Sequence, residues 1–222
     1  MNELNLFTRT IKHLKTILIH KYYVFLECRK YGLYWRGLTH DLSKFSPTEF
    51  INSVKYYREG TSPINVSKEE IGYSLSWQHH KGRNTHHHVY WCDNFDDGDI
   101  TIIPMPFLDC IECVCDYYAA GKAYEGKDYT YYDELMWFRN KITPNGKLHM
   151  AMHPYTAEFI HSVIYDLASG MHEINMDELK SRYDEILNSG VVPIPVRYSD
   201  PINIEYFNKI LKPWLAFKIQ KK

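Results

Sequence analysis

Histidines and aspartates suited to metal binding occur within the first 120 residues of the chain. His20 lies within a long apolar-periodic segment, His40 and Asp41 are adjacent between two leucines, and Asp116 lies in a strongly apolar segment. Burying an unpaired carboxylate costs on the order of several kcal/mol unless a cation meets it. Divalent transition metals prefer neutral imidazoles and carboxylates that converge from separate rigid elements. We therefore predict that these four residues bind a metal.

A cluster of histidines follows the His40-Asp41 pair. Of the 12 histidines, five fall within ten residues: His79, His80, His86, His87 and His88. His80, His86 and His87 lie between the pair and Asp116, and a turn at residues 82–85 can bring them together. If residues 86 and 87 are helical, their side chains project about 100° apart, so that only one of them faces the first metal squarely. The sequence thus predicts room for two divalent ions (Mn, Fe, Co, Ni or Zn), with the second site weaker.

Each of these residues can also have a purely structural role. His20 can be a hydrogen-bonded core histidine, and Asp41 can be an acid that stabilises the positive end of a helix dipole. Asp116 can pair with Lys122 or Arg83, and the histidine-rich run can be a solvated turn. Five further histidines are assigned to packing, helix caps or the surface: His88, His149, His153, His161 and His172.

Periodic apolar residues predict the helices that position the first of these groups. A helix over residues 3–31 carries His20 and ends before Gly32, where a C-cap belongs. A second, shorter helix opens at residues 37–42, with His40 and Asp41 at its start. A third runs from Pro47 to about residue 57, and its predicted start is the N-cap, first-turn proline and capping-box glutamate of Ser46, Pro47 and Glu49.

The rest of the chain also reads as helical. A loop at residues 59–66 precedes a capping box, Ser67–Glu70, that opens a helix reaching His80. The predicted elements that follow are a short helix 86–91, a loop 93–99, helices 106–122, 131–141, 154–168 and 175–190, an extended stretch 191–201 and a helix 202–217. The prediction is an all-α fold with a single domain, a metal-binding core at about residues 10–125 and a helical extension over residues 126–222.

Composition excludes several classes of partner. The net charge is −1 with a pI near 6.9, so that no global field recruits nucleic acid or an anionic membrane. The sequence has neither the roughly 18 uninterrupted apolar residues of a membrane helix nor an apolar signal segment at its start, which predicts a cytoplasmic protein. Five cysteines, an odd number, fit a reducing compartment. Cys110 and Cys113 form one CxxC pair without a second, which favours buried thiols over structural zinc.

The order His20, His40-Asp41, Asp116 resembles the HD superfamily of metal-dependent phosphohydrolases. Lys44, three residues after Asp41, matches the lysine often found in the family's extended motif. The closer resemblance is to an uncharacterised branch of short bacterial and phage HD-like proteins (DUF5662-like). The matching stretches are His-Asp-Leu-Ser-Lys-Phe-Ser, Asn-x-His-His and Met-Pro followed by a Cys-Asp helix, at residues 40–46, 84–87 and 105–116. The resemblance covers about residues 15–125.

This resemblance implies metal-dependent hydrolysis of a phosphate ester or anhydride, on a nucleotide or another small phosphorylated metabolite. Asp41 would bridge metal and nucleophile, Lys44 would meet phosphate oxygens, and Glu112 would orient a ligand or act as general base. Two further functions stay open: an HD-like di-iron oxygenase, and a non-catalytic binding or inhibitory protein in which the metal only stabilises the fold. Residues 126–222 either pack around the core or form the surface of a homodimer.

Overall fold

The computed structural model describes residues 4–94, 97–142, 150–171 and 173–211. Within these residues it contains ten α-helices and one small three-stranded sheet, which confirms the all-α class. The chain divides into two compact units, residues 1–84 with 119–128 and residues 85–118 with 129–222. The prediction of a single domain with a core at about residues 10–125 stays a prediction.

The first unit contains five helices, and the first of them shows why His20 is buried. Asn5 caps the long helix α1, since its side chain accepts a 2.8 Å hydrogen bond from the Thr8 amide. His13, Ile17, His20 and Val24 follow one another at helical spacing and are all buried. His20 therefore lies on the inward face of its helix. The bounds of the helices are α1 Leu6–Lys30, α2 Tyr34–Thr39, α3 Pro47–Lys55, α4 Pro63–Ile71 and α5 Leu75–Lys81.

A glycine allows α2 to approach α1 closely. A Cβ atom at Gly37 would lie 3.0 Å from the Cβ of Cys28 and 3.1 Å from the Cα of Phe25, so that any side chain there would force the helices apart. The contact is reinforced by Lys21 on α1, whose Nζ donates to the backbone carbonyl of His40 and, at 3.2 Å, to that of Leu38. The end of α2 is thereby tied to the first helix at the point where the predicted metal ligands begin.

The predicted single helix from Ser67 to His80 is wrong, because two helices occupy this region. α4 already starts at Pro63, within the predicted loop, and Gly72 ends it with a φ of 82°. Ser67 lies inside α4, and its hydroxyl donates to the carbonyl of Tyr73 at 2.7 Å instead of capping a helix. Ser74 is the actual N-cap of α5 and accepts from the Trp77 amide at 3.3 Å.

The second unit combines four further α-helices with the sheet. Pairing of β1 with β2 and of β2 with β3 is antiparallel. The predicted loop 93–99 is wrong at its start, because residues 93 and 94 belong to β1; residues 95 and 96 lie outside the described part. A buried apolar cluster of Ile102, Tyr155, Val192, Val196 and Tyr206 packs the sheet against α8 and α10. The bounds are β1 Cys92–Asn94, β2 Ile100–Ile102, α7 Tyr131–Ile142, α8 Pro154–Ala168, α9 Met176–Leu187, β3 Val196–Arg197 and α10 Pro201–Tyr206.

Helix α6, Phe107–Glu125, agrees with its prediction and contributes residues to both units. Its thiols Cys110, Cys113 and Cys115 are buried, as predicted, and none of them forms a disulfide. Burial raises the pKa of the Cys113 thiol well above its usual value, which makes it a small apolar group. The helix predicted over residues 202–217 corresponds to α10, which passes into a π-helical turn at Phe207–Leu211. Residues 212–217 lie outside the described part of the chain.

Two buried histidines of the second unit have structural roles, as predicted. His153 caps α8, since its Nδ1 accepts from the Tyr155 amide and its Nε2 donates to the carbonyl of Pro193, both at 3.2 Å. His161 accepts a 3.1 Å hydrogen bond at Nε2 from the Nε of Arg139. Burial lowers the pKa of His153 to about 4, and burial together with the Arg139 charge lowers that of His161 to about 3. His149 and His172 lie outside the described residues.

Candidate metal centre

The His40-Asp41 pair lies between two helical segments, so the prediction that it opens a helix is wrong. α2 starts earlier, at Tyr34, and ends at Thr39, and a 3-10 turn follows at Leu42–Phe45. Asp41 between them has φ 55° and ψ 28° and is the one non-glycine residue with positive φ in the described ranges. This left-handed conformation costs about 1–2 kcal/mol for most residues, although aspartate tolerates it better. Conformations of this kind occur preferentially at functional sites.

Three imidazoles of the first unit converge on the Asp41 carboxylate. His20 Nε2 lies 3.6 Å and His40 Nε2 3.4 Å from Oδ2, and His80 Nε2 lies 3.2 Å from Oδ1. The three histidines come from α1, from the residue after α2 and from α5, and all are buried. The first unit thus brings together four of the candidate ligands, His20, His40, Asp41 and His80.

The carboxylate at the centre of this group is only 1% exposed, yet its neighbours favour the charged form. Burial by itself would raise the pKa of Asp41. His40, Lys44 and His80 outweigh that effect, together with a hydrogen bond to His20, and they hold the pKa well below its usual value. Lys44 contributes through an ion pair of 2.6 Å between its Nζ and Asp41 Oδ2. A buried anion surrounded by imidazole nitrogens is an environment that favours a cation.

Glu49 is a part of the site that the sequence analysis did not identify. The structure confirms the predicted start of α3, because the Ser46 hydroxyl accepts from the Glu49 amide at 3.3 Å. The Glu49 side chain, however, is buried and contacts two histidines of α5. Its Oε2 lies 2.8 Å from His80 Nδ1 and its Oε1 lies 2.6 Å from His79 Nδ1. Burial raises the pKa of Glu49, but the hydrogen bonds from His80 and His79 outweigh it and lower the pKa.

The second unit contributes a cluster of four residues, His86, His87, Glu112 and Asp116, all of them buried. His86 Nδ1 lies 3.2 Å from Glu112 Oε1, and its Nε2 lies 3.9 Å from Asp116 Oδ2. His87 Nδ1 lies 4.0 Å from the same Asp116 oxygen. The predicted helix 86–91 is a 3-10 turn that starts only at His88, because His87 is extended (φ −92°, ψ 126°). Both rings therefore have a nitrogen within 4.0 Å of Asp116 Oδ2, and the helical geometry assumed for residues 86 and 87 is not present.

The donor atoms fit a divalent transition metal. The ligand atoms of His20, His40 and Asp41 lie within 4.8 Å of one another, and they are the imidazole nitrogens and carboxylate oxygens that such ions prefer. Within the described residues, cysteine takes no part in any group of this kind. The buried histidine and carboxylate groups of the protein can thus hold a metal ion.

Fold and site together define a helical protein with buried histidine–carboxylate clusters. The model of a family described as "Family of unknown function (DUF5662)" matches residues 9–166, and the chain belongs to that family. Neither the curated proteins nor the solved structures contain a match to the chain. Among the helices of the described ranges, none is long and apolar enough to span a membrane.

Proposed function

We propose that the protein is a metal-dependent phosphohydrolase of the HD type that acts on a nucleotide or another small phosphorylated metabolite. The observation that carries this proposal is the convergence of the Nε2 atoms of His20, His40 and His80 on Asp41, at 3.2–3.6 Å, with the Lys44 ammonium on the same carboxylate. A metal ligand set and a cation for phosphate are the two requirements of this chemistry.

The residues of the first unit divide these tasks. His20, His40, Asp41 and His80 would hold the ion, which when bound acidifies water and neutralises phosphate charge. Asp41 carries the negative charge of this set and would also accept a hydrogen bond from the attacking water. Lys44 is the partly exposed member, with 28% of its side chain accessible, so its ammonium can turn from Asp41 to a phosphate oxygen.

The second cluster would supply ligands for a second ion. His86, His87 and Asp116 offer two imidazoles and a carboxylate, and Glu112 faces the Nδ1 of His86 as an orienting carboxylate would. The roles of Asp116 as a ligand of the first ion and of Glu112 as a general base stay predictions. So do the cytoplasmic location, the absence of a nucleic-acid partner and a homodimer formed through residues 126–222.

A screen for phosphate release tests the proposed activity. Protein purified without a histidine tag and reconstituted with Mn, Fe, Co, Ni or Zn is expected to release phosphate from a nucleotide or small phosphorylated metabolite, and chelation is expected to stop the reaction. Lys44→Ala is expected to raise KM about tenfold or more with the metal retained, because lysine supplies charge to phosphate. Absence of turnover with every metal would favour the binding-protein function, and loss of metal from the Lys44 variant would show that Lys44 belongs to the metal site.

Metal stoichiometry tests the second site. We expect two ions per chain in the wild-type protein at high metal concentration. The double variant His86→Ala/His87→Ala is expected to bind one, because the first-unit ligands remain. Titration followed by elemental analysis measures both numbers, and the retained first ion serves as the internal control for folding. A single ion in the wild-type protein, or two in the variant, would contradict the assignment.

One competing function has a structural observation in its favour. The two clusters contain five buried histidines, His20, His40, His80, His86 and His87, and a donor set rich in histidine and carboxylate also suits iron that activates dioxygen. Oxygen consumption by the iron-loaded protein in the presence of a polyol or related small molecule, without phosphate release, would favour the di-iron oxygenase.

A further inference from the structure

The carboxylate of Glu49 is held between two imidazoles in the interior of the first unit. It lies in the first turn of α3, is 2% exposed, and each of its oxygens faces one Nδ1 atom, Oε2 that of His80 and Oε1 that of His79. An ionised carboxylate has no proton to donate and only accepts hydrogen bonds. Both Nδ1 atoms must therefore carry a proton when they bond to Glu49.

This constraint determines which nitrogen of His80 is available to a ligand. A neutral imidazole that donates from Nδ1 keeps its lone pair on Nε2. That nitrogen is the one that lies 3.2 Å from Asp41 Oδ1, on the side of the first-unit metal ligands. Glu49 thus presents the His80 lone pair to the site and also holds the plane of the ring.

Two further polar groups lie beside Nδ1 of His80, but neither of them fixes the position of its proton. The side-chain amide nitrogen of Asn84 and the hydroxyl of Ser43 both lie 3.1 Å from His80 Nδ1. The Asn84 amide is held in place, since its Nδ2 also donates to the His80 carbonyl at 2.8 Å and to Ser43 Oγ at 3.0 Å. Both amide hydrogens of Asn84 are therefore engaged, and a hydroxyl can donate or accept. Without Glu49, the Asp41 carboxylate, which lies 3.2 Å from Nε2, would favour the proton on that nitrogen instead.

His79 stabilises the orientation of Glu49 itself. Its Nδ1 lies 2.6 Å from Glu49 Oε1, the oxygen that is not bonded to His80. The His79 side chain is 19% exposed, so it lies towards the surface of the unit and not in the group around Asp41. With both oxygens engaged, the carboxylate has no freedom to rotate away from His80.

We propose that Glu49 is a positioning residue for the metal site, acting through His80 by fixing its Nδ1–H tautomer and ring orientation. The inference rests on the metal site of the proposed function but not on the reaction assigned to it. Carboxylates that orient histidine ligands in this way typically change metal affinity by about 10–100-fold when they are mutated. We expect an effect of that size for Glu49 and a smaller one for His79, which acts only on Glu49.

The test uses the full-length variants Glu49→Leu and Glu49→Ala with zinc as the probe. Leucine fills much of the glutamate volume but offers no hydrogen-bond acceptor, so it provides the folded variant if alanine does not. Glu70→Gln is the matched control, because Glu70 is an exposed glutamate of the same unit that pairs with Arg58. Competition with a chelator gives the zinc Kd, and ¹⁵N NMR of the metal-free protein at alkaline pH, where His80 is neutral, gives its tautomer.

We expect the Glu49 variants to bind zinc about 10–100-fold more weakly, with the His80 proton moved from Nδ1 to Nε2, while the Glu70 variant matches the wild type. A purely structural role would not move the tautomer signal in the folded leucine variant. An unchanged zinc Kd or an unchanged His80 tautomer in Glu49→Leu would overturn the inference. Neither the zinc Kd nor the tautomer depends on turnover. The role of Glu49 is therefore tested independently of the phosphohydrolase screen, whatever the outcome of that screen.

Discussion

Asp41→Asn is expected to lose most of the bound metal while the helical circular-dichroism signal survives. Asparagine has the shape of aspartate and also tolerates the left-handed backbone conformation at φ 55°, so the fold keeps its turn between α2 and the 3-10 segment. The variant removes the only negative charge from the group formed with His20, His40 and His80. His40→Ala is expected to act similarly, because it removes one of the imidazoles of this group. His40 follows the last residue of α2, so its replacement leaves the interior of the helix unchanged.

Elemental analysis of protein purified without a histidine tag measures the loss, and we expect at least a tenfold decrease in occupancy, as is common even for less direct changes at metal sites. Asp184→Asn is the control, because Asp184 is an exposed aspartate that pairs with Lys180 on α9. Full occupancy in both Asp41→Asn and His40→Ala would remove the central claim of a metal centre at this pair. Loss of the helical signal in Asp41→Asn would show instead that the anion is needed for folding.

Acidification from pH 7 to 5 is expected to destabilise the protein by several kcal/mol. His13, His153 and His161 are buried, and burial lowers their pKa values to about 4, 4 and 3. Since these values lie below that of a histidine in the unfolded chain, near 6.5, the unfolded state binds more protons between pH 6.5 and 4. The stabilisation is therefore complete above pH 6.5 and is lost as the pH falls through that window.

Each of these histidines contributes about 1.4 kcal/mol per pH unit within the window, or roughly 2 kcal/mol at pH 5. Urea unfolding at pH 7 and pH 5 measures the loss. His161→Gln is the informative variant, because a glutamine carbonyl can still accept from Arg139 but does not titrate. We expect its loss between the two pH values to be about 2 kcal/mol smaller than that of the wild type. Equal losses in both proteins would show that His161 is not held neutral in the folded state.

The sequence by itself was sufficient for the elements whose signals are local. The apolar period of α1, the Ser46-Pro47 start of α3 and the Pro154 start of α8 all lie within a few residues of the structure they specify, and each element is present. The membership in the family also follows from linear motifs. The choice of His20, His40 and Asp41 as one group rested on residue type and order, which is enough to name candidates because buried histidines and carboxylates have few other stable partners.

Only the tertiary structure decided how these candidates are used. The early start of α2 and its contact with α1 through Gly37 place Asp41 in a left-handed turn, which no local signal indicated. Glu49 has the spacing of a capping-box residue, yet its side chain bonds to His80, 31 positions along the chain. Local propensity acts over a few residues, whereas the partner of a buried charge depends on which helices pack together. The pairing of Glu49 with His80 therefore arises from the packing of α3 on α5, and residue spacing in the sequence could not predict it.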